Sequence, residues 1–286
     1  MPQPSHTIGL LYPGEMGLAL SRQLIAAGHR VVTCLKDRSA ATIARTRLAA
    51  IHELPRLQDL VAESSILISL VTPDAAATVA DEITQFAPLA KPASIYLDIN
   101  SISPDRKIRI ARQIESHGLD FVDGAINGLS SHLATTATLF LSGRRARDVA
   151  AFIGHPPRID VLSSDPGDAS AMKMLLSGFS KGICALYIEL AELAQRRHLM
   201  PQFTDALSRI YPGVEALARR MLPTYSQHAA RRAVEMHELL DTATAAGLTP
   251  NVIPAVAKLH DILAESSDHA SLQSVPTNHS TLTTHR

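Results

Sequence analysis

The sequence predicts an α/β fold, a doubly wound parallel sheet, followed by an all-α C-terminal domain. Three observations predict it. In the first half, short β-rich runs at residues 7–11, 30–35, 66–71, 95–99, 120–122 and 138–142 alternate with helix-patterned segments, and strands separated by helices are joined by crossovers that keep them parallel. The run "ILISLV" at Ile66–Val71 is apolar throughout, as a strand covered on both faces must be. From Asp165 onward, helical periods at 166–198, 201–220, 224–246 and 251–265 replace the strands. Pro201, Pro223 and Pro250 stand near helix starts, where a missing amide hydrogen costs least. The sheet domain is therefore expected at 1–163 and the helical domain at 164–265. Residues 266–286 are rich in Ser, Thr and His without an aromatic side chain. They are expected to be a disordered tail, because they cannot bury enough surface to offset their ordering entropy.

Composition narrows the function. The 286 residues are 46% hydrophobic, enough for a sizeable core. Lysine plus arginine and aspartate plus glutamate are both 27, giving zero net charge, and no basic run tracks a phosphate backbone, so nucleic acid is not an expected partner. Cys34 and Cys184 are too few and too far apart for a disulfide framework or a zinc site, and the 13 histidines form no pair at metal-ligand spacing. Residues 1–7 lack the basic and apolar regions of a secretory signal, and no later stretch is apolar for about 18 residues without interruption. A cytoplasmic protein with neither membrane nor metal is expected.

The first strand ends in "IGLLYPGEMGLAL". A dinucleotide fingerprint, G-x-G-x-x-G between strand and helix, would place its slots at Tyr12, Gly14 and Gly17, so the first glycine is replaced. Tyr12, Pro13, Gly14, Glu15 and Met16 are the candidate cofactor-binding residues of this turn, at a helix N-terminus suited to a pyrophosphate. Pro13-Gly14 is the preferred central pair of a type II turn, which would spare Tyr12 the backbone angle its slot usually needs. After the second strand come Lys36, Asp37, Arg38 and Ser39, where such a domain meets the adenosine ribose. Two cations and a hydroxyl against one carboxylate favour the 2′-phosphate of NADP over the ribose diol of NAD.

Ligands of open α/β sheets lie beyond the carboxyl ends of the strands. There the sequence places Val71, Thr72 and Pro73 as a wall for the cofactor, and Asn100 and Ser101 as neutral groups beside nicotinamide and substrate. Asn127 and Gly128 could hold a substrate carboxylate. Ser103 reads as the cap before Pro104, and Asp98 and Asp123 as structural, since a free carboxylate would repel an acidic ligand. The helix opening at "GDASAMKMLLSGFSKGICALYIELAELAQRR" carries two faces at helical spacing. One is apolar, with Met172, Leu175, Leu176, Phe179, Ile183, Leu186, Leu190 and Leu193, and is expected to be the core stripe. The other is small and polar, with Ser170, Lys173, Ser177, Lys181 and Cys184, and is expected to line a cleft against the first domain. A desolvated Lys173 could exchange a proton with a substrate hydroxyl, with Ser177 bonded to the amine or the substrate and Lys181 binding an acidic group.

Four motifs in order resemble the β-hydroxyacid dehydrogenases, the family of 3-hydroxyisobutyrate and 6-phosphogluconate dehydrogenases. "GLLYPGEMG" stands for G-x-x-G-x-G-x-M-G, "DINSISP" for D-x-S-T-x-x-P, "VDGAINGLSSHLATTATLFLSG" for the D-A-P-V-S-G-G segment, and "GDASAMK" for G-x-G-x-x-x-K. The resemblance, from about Ile8 to Arg197, implies a Rossmann-type domain and an NAD(P)-dependent enzyme acting on a hydroxyl beside an acidic group. It implies Lys173 as catalytic acid or base, Asn127 and Gly128 near the substrate, and homodimers built through the helical domain. The departures are Tyr12 for the first glycine, Asn127-Gly128-Leu129 for Ser-Gly-Gly, and Ser177 for the asparagine one turn after the lysine. The family's later Lys-Asp pair has no aligned counterpart, with Arg232, Glu235 and His237 as candidates. An imine reductase with the same cofactor cleft and a non-catalytic NADPH-binding module are the alternative readings.

Overall fold

The computed structural model describes residues 6–154 and 156–265; the expected C-terminal tail lies outside them. The described residues form two compact units divided between Lys173 and Met174, rather than at the expected residue 163. The first unit alternates β1 (Thr7–Leu11), α1 (Glu15–Ala26), β2 (Arg30–Cys34), α2 (Ala40–Leu48), β3 (His52–Leu54), α3 (Leu57–Glu63), β4 (Ile66–Ser69), α4 (Ala76–Thr84), β5 (Ile95–Asp98), α5 (Pro104–Ser116), β6 (Asp120–Asn127), β7 (Thr138–Ser142), α6 (Ala146–Ile153) and β8 (Arg158–Ser163). These strands make one eight-stranded sheet in the order β3-β2-β1-β4-β5-β6-β7-β8.

Both faces of the sheet are covered, as the apolar strands require. Along β4, Ile66 and Ile68 enter one apolar layer and Leu67 the other; along β5, Ile95 and Leu97 oppose Tyr96 in the same way. The parallel register aligns Leu11 of β1, Ser69 of β4, Asp98 of β5 and Asp123 of β6 in one row. Tyr12, Leu70, Ile99 and Gly124 therefore begin the carboxyl edge together.

The sheet differs from expectation in three places. Two edge strands are added: β3, which is short and carries exposed His52 and Glu53, and β8, which is half-exposed; neither has the continuous apolar run of a covered strand. The sixth strand runs on to Asn127 instead of stopping at Val122. β7 pairs with it antiparallel, because residues 128–137 form a loop and not the crossover helix that parallel pairing needs.

The second unit continues from α7 (Asp168–Arg196) through α8 (Met200–Ile210), α9 (Pro212–Met221), α10 (Ala229–Ala245) and α11 (Val252–Glu265). The helix expected over 201–220 is broken at Tyr211-Pro212, where proline starts a new helix because it cannot donate to the old one. The two faces of α7 are reversed from expectation. Leu175, Phe179, Leu186, Leu190 and Leu193 are 42–68% exposed, whereas Lys181, Cys184, Ala185, Tyr187, Ala191 and Ala194 are buried. Small residues win the inner face because they let helix axes approach: a Cβ at Gly178 would lie 2.3 Å from Leu239 of α10. By length and composition α7 could cross a membrane, but a spanning helix is apolar all round, and this one turns Lys181 toward Glu235 of α10.

Candidate active site

The turn after β1 is built differently from the expected type II turn. Tyr12 itself takes the left-handed conformation, φ 49°, and Gly14 is extended, φ −87°, as the N-cap of α1. Gly14 is thus explained neither by its dihedrals nor by packing, since a Cβ built on it would meet nothing within 4 Å. What glycine preserves there is open approach to the unpaired amides of the α1 N-terminus, a fitting cradle for a pyrophosphate. Glu15 is exposed in the first turn, where it accepts a hydrogen bond from Ser130.

The expected adenosine-binding residues come from two neighbouring strand ends. The Tyr12 hydroxyl donates to Glu82 Oε2 of α4 at 2.8 Å, and the Arg38 guanidinium lies over the Tyr12 ring at 4.1 Å from its centroid. Burial, reinforced by Glu82, pushes the Tyr12 phenol well above its usual pKa and keeps it neutral. Lys36 is exposed, and Ser39 is the N-cap of α2, accepting from the Thr42 amide at 3.2 Å.

Beneath the carboxyl ends of β5 and β6 lies a buried cation absent from the sequence reading. Lys107 of α5 is fully buried, donating to the Asp98 carbonyl at 2.6 Å, to Asp98 Oδ1 at 2.7 Å and to the Gly124 carbonyl at 3.3 Å. Its ammonium is 3.1 Å from Asp123 Oδ1. Asp98 in turn accepts from the Asn100 amide at 2.8 Å. Asp123 accepts from the Gly167 and Ser170 amides at 3.1 and 2.9 Å and from the Ser170 hydroxyl at 2.8 Å, tying the start of α7 to β6. One ammonium thereby fixes both sides of the contact that matters: Lys173 Nζ donates to Ser101 Oγ at 2.5 Å. The structural reading of Asp98 and Asp123 has this basis, while burial pushes the Asp98 carboxyl up despite Lys107. Helical spacing was the missed signal, because Lys107 falls on the face of Pro104, Ile110, Ala111 and Ile114.

Other expected site residues are placed as follows. Asn100 is buried, accepting from the Val71 amide at 2.7 Å and donating to Ser69 at 2.9 Å. It ties the start of the Val71, Thr72 and Pro73 loop to the end of β4. Ser103 takes the N-cap position of α5 without a side-chain capping bond. Asn127 is exposed at the end of β6, four residues past Asp123, or about 13 Å of extended chain. Gly128, φ 145°, is required by packing, as its Cβ would fall 2.6 Å from Ala137.

In the second unit Lys181 is buried and paired with Glu235 at 2.6 Å while donating to Ser177. The acidic group that Lys181 meets in the structure is thus Glu235 of its own unit. Of the candidates for the later pair, Glu235 meets this lysine, His237 bonds Asp261 at 3.0 Å, and buried Arg232 stacks on Tyr225 at 4.2 Å.

Residues 7–151, half of the chain, match the family model of the NAD binding domain of 6-phosphogluconate dehydrogenase. Residues 194–263 match a domain of unknown function, DUF1932. An uncharacterized 28.5 kDa protein in the 7S RNA 5′ region of Methanothermus fervidus is 30% identical over 200 residues, 70% of this chain and 75% of that protein. A solved conserved protein of unknown function, described as structurally similar to 3-hydroxyacid dehydrogenases, superposes with a TM-score of 0.76 at 31% identity, covering 90% of this chain and 96% of that one. The 3-hydroxyisobutyrate dehydrogenase of Mycobacterium tuberculosis, solved with L-serine, shares the fold with a TM-score of 0.76 at 21% identity, covering 95% and 98%. With its nucleotide-binding half matched to that model and its whole fold shared with such enzymes, the chain belongs to the β-hydroxyacid dehydrogenase family of NAD(P)-dependent dehydrogenases and reductases.

Proposed function

We propose that the protein is an NADP-preferring oxidoreductase of a small hydroxy acid or its keto form, with Lys173 as proton acceptor and donor. The observation that carries this reading is the 2.5 Å contact between Lys173 and Ser101 at the carboxyl end of β5, where a doubly wound sheet holds its ligands. A bound nicotinamide supplies hydride exchange at the substrate carbon. In the oxidising direction the neutral Lys173 amine takes the hydroxyl proton as the carbonyl forms; in reduction the ammonium returns it to the carbonyl oxygen. Ser101 orients the amine and offers its hydroxyl to the same oxygen. Exposed Asn127 supplies amide donors for the substrate carboxylate.

A panel of small 2-keto and 3-keto acids beside cyclic imines, followed by NADPH absorbance, tests this. Keto acids are expected to be turned over and imines not. Turnover of imines alone would assign the protein to the imine-reducing alternative, and binding of NADPH with no turnover of any substrate would favour the non-catalytic one.

The exposed stripe of α7 supports a homodimer through the helical unit. Leu175, Phe179, Leu186, Leu190 and Leu193 fall within about 60° of one face at 100° per residue, and a contiguous apolar face of this kind is characteristic of an interface. Light scattering is expected to give twice the 30.7 kDa chain mass, and Leu186→Glu to give one chain. A monomeric wild type at micromolar concentration would remove this reading.

A further inference from the structure

We infer that Tyr12 is a positioning residue that sets discrimination for the cofactor's 2′-phosphate by holding the Arg38 guanidinium over its ring. The inference rests on the NADP reading above and names a residue that reading leaves without a task. Tyr12 follows β1 and Arg38 follows β2, and these strands are parallel neighbours in register from Thr7↔Arg30 to Gly9↔Val32. Both residues therefore stand at the notch where a doubly wound sheet receives the adenosine ribose.

Each link of the arrangement is specified. The ring cannot swing freely, because its hydroxyl donates to Glu82 at 2.8 Å and its body packs on the apolar layer of Leu11, Val32 and Cys34. The exposed Arg38 is a side chain with much rotamer freedom, yet it is stacked at 4.1 Å on that fixed ring and donates from Nε to the Lys36 carbonyl at 3.3 Å. A guanidinium held over a ring still offers the forked donors of its terminal nitrogens, which a phosphate accepts in two parallel bonds. Stacking before the ligand arrives removes part of the ordering cost of binding. The neutral phenol itself adds no negative charge beside the phosphate. A glycine in the first fingerprint slot would make the same turn and supply none of this.

The test measures dissociation constants for NADPH and NADH by nicotinamide fluorescence on the full chain and on Tyr12→Gly, Tyr12→Phe and Arg38→Ala. Wild type is expected to prefer NADPH. Tyr12→Gly should reduce the NADPH-over-NADH preference about five-fold, the scale of a cation–π contact, through NADPH alone. Tyr12→Phe, which keeps the ring, should retain most of the preference, and Arg38→Ala should reduce it about 30-fold, as expected for a charged bidentate contact. Glycine accepts a positive φ without strain, so Tyr12→Gly threatens folding least of the ring deletions; Tyr12→Phe is the conservative control. Equal weakening of both cofactors in Tyr12→Gly, or an unchanged ratio, would overturn the role of the ring while leaving the cofactor reading intact. A wild type that binds neither dinucleotide, or prefers NADH, would instead overturn the cofactor reading on which the inference rests.

Discussion

Lys173→Ala is expected to lower kcat by between about 100-fold and 10,000-fold, the range of a lost general acid or base, with the NADPH dissociation constant unchanged within about two-fold. The separation follows from the structure. Lys173 meets Ser101, whereas Gly14 and Arg38, the residues proposed to meet the cofactor, belong to other elements. The substitution also leaves the backbone undisturbed, since alanine is the best helix former and the first turn of α7 is held by Asp123 through Gly167 and Ser170. Steady-state rates with the keto acid selected from the panel, beside a separate fluorescence titration of NADPH, measure the two quantities. Turnover within ten-fold of wild type would sink the assignment of the proton to this lysine.

The largest expected loss of stability belongs to Lys107→Met, about 3–5 kcal/mol, because removing one partner of a buried ion pair leaves uncompensated charge in the interior. Here two buried carboxylates, Asp98 and Asp123, lose one shared cation. The pH dependence has a definite sign. Burial already raises the Asp98 pKa in the folded state, so folding favours its protonated form, and stability is lost as pH rises through the folded pKa. Without Lys107 the rise is steeper. The deficit of the variant is therefore greatest at neutral pH and above, and shrinks as pH falls through the carboxylate range. Urea midpoints at neutral and acidic pH, compared with wild type, measure it; an equal deficit at both would contradict the electrostatic origin.

Legibility in the sequence followed the strength of the local signal. The strands β1, β2, β4 and β5 are mostly apolar, β-rich runs bounded by turn residues, so their positions could be read directly. The short β3 and the charged β8 could not, because edge strands dispense with the apolar pattern. Lys173 and Ser101 were readable from their places after a strand and at the start of a long helix, but not their contact, which joins positions 72 residues apart. The two faces of α7 were both periodic, and periodicity alone does not say which one is packed. Lys107 was obscured by Arg106, Arg109 and Arg112 around it, a composition that suggests a solvated helix; its burial depends on two carboxylates at the ends of separate strands.

The backbone of Tyr12 has a consequence for selection on this chain. A left-handed non-glycine residue costs about 1–2 kcal/mol in the folded protein, while glycine at the same place would lose more conformational entropy on folding, about 0.5–1 kcal/mol. The two penalties nearly cancel. The backbone at this position therefore exerts little pressure for or against glycine, and the residue found there is set by what its ring packs against and by what it does for a ligand.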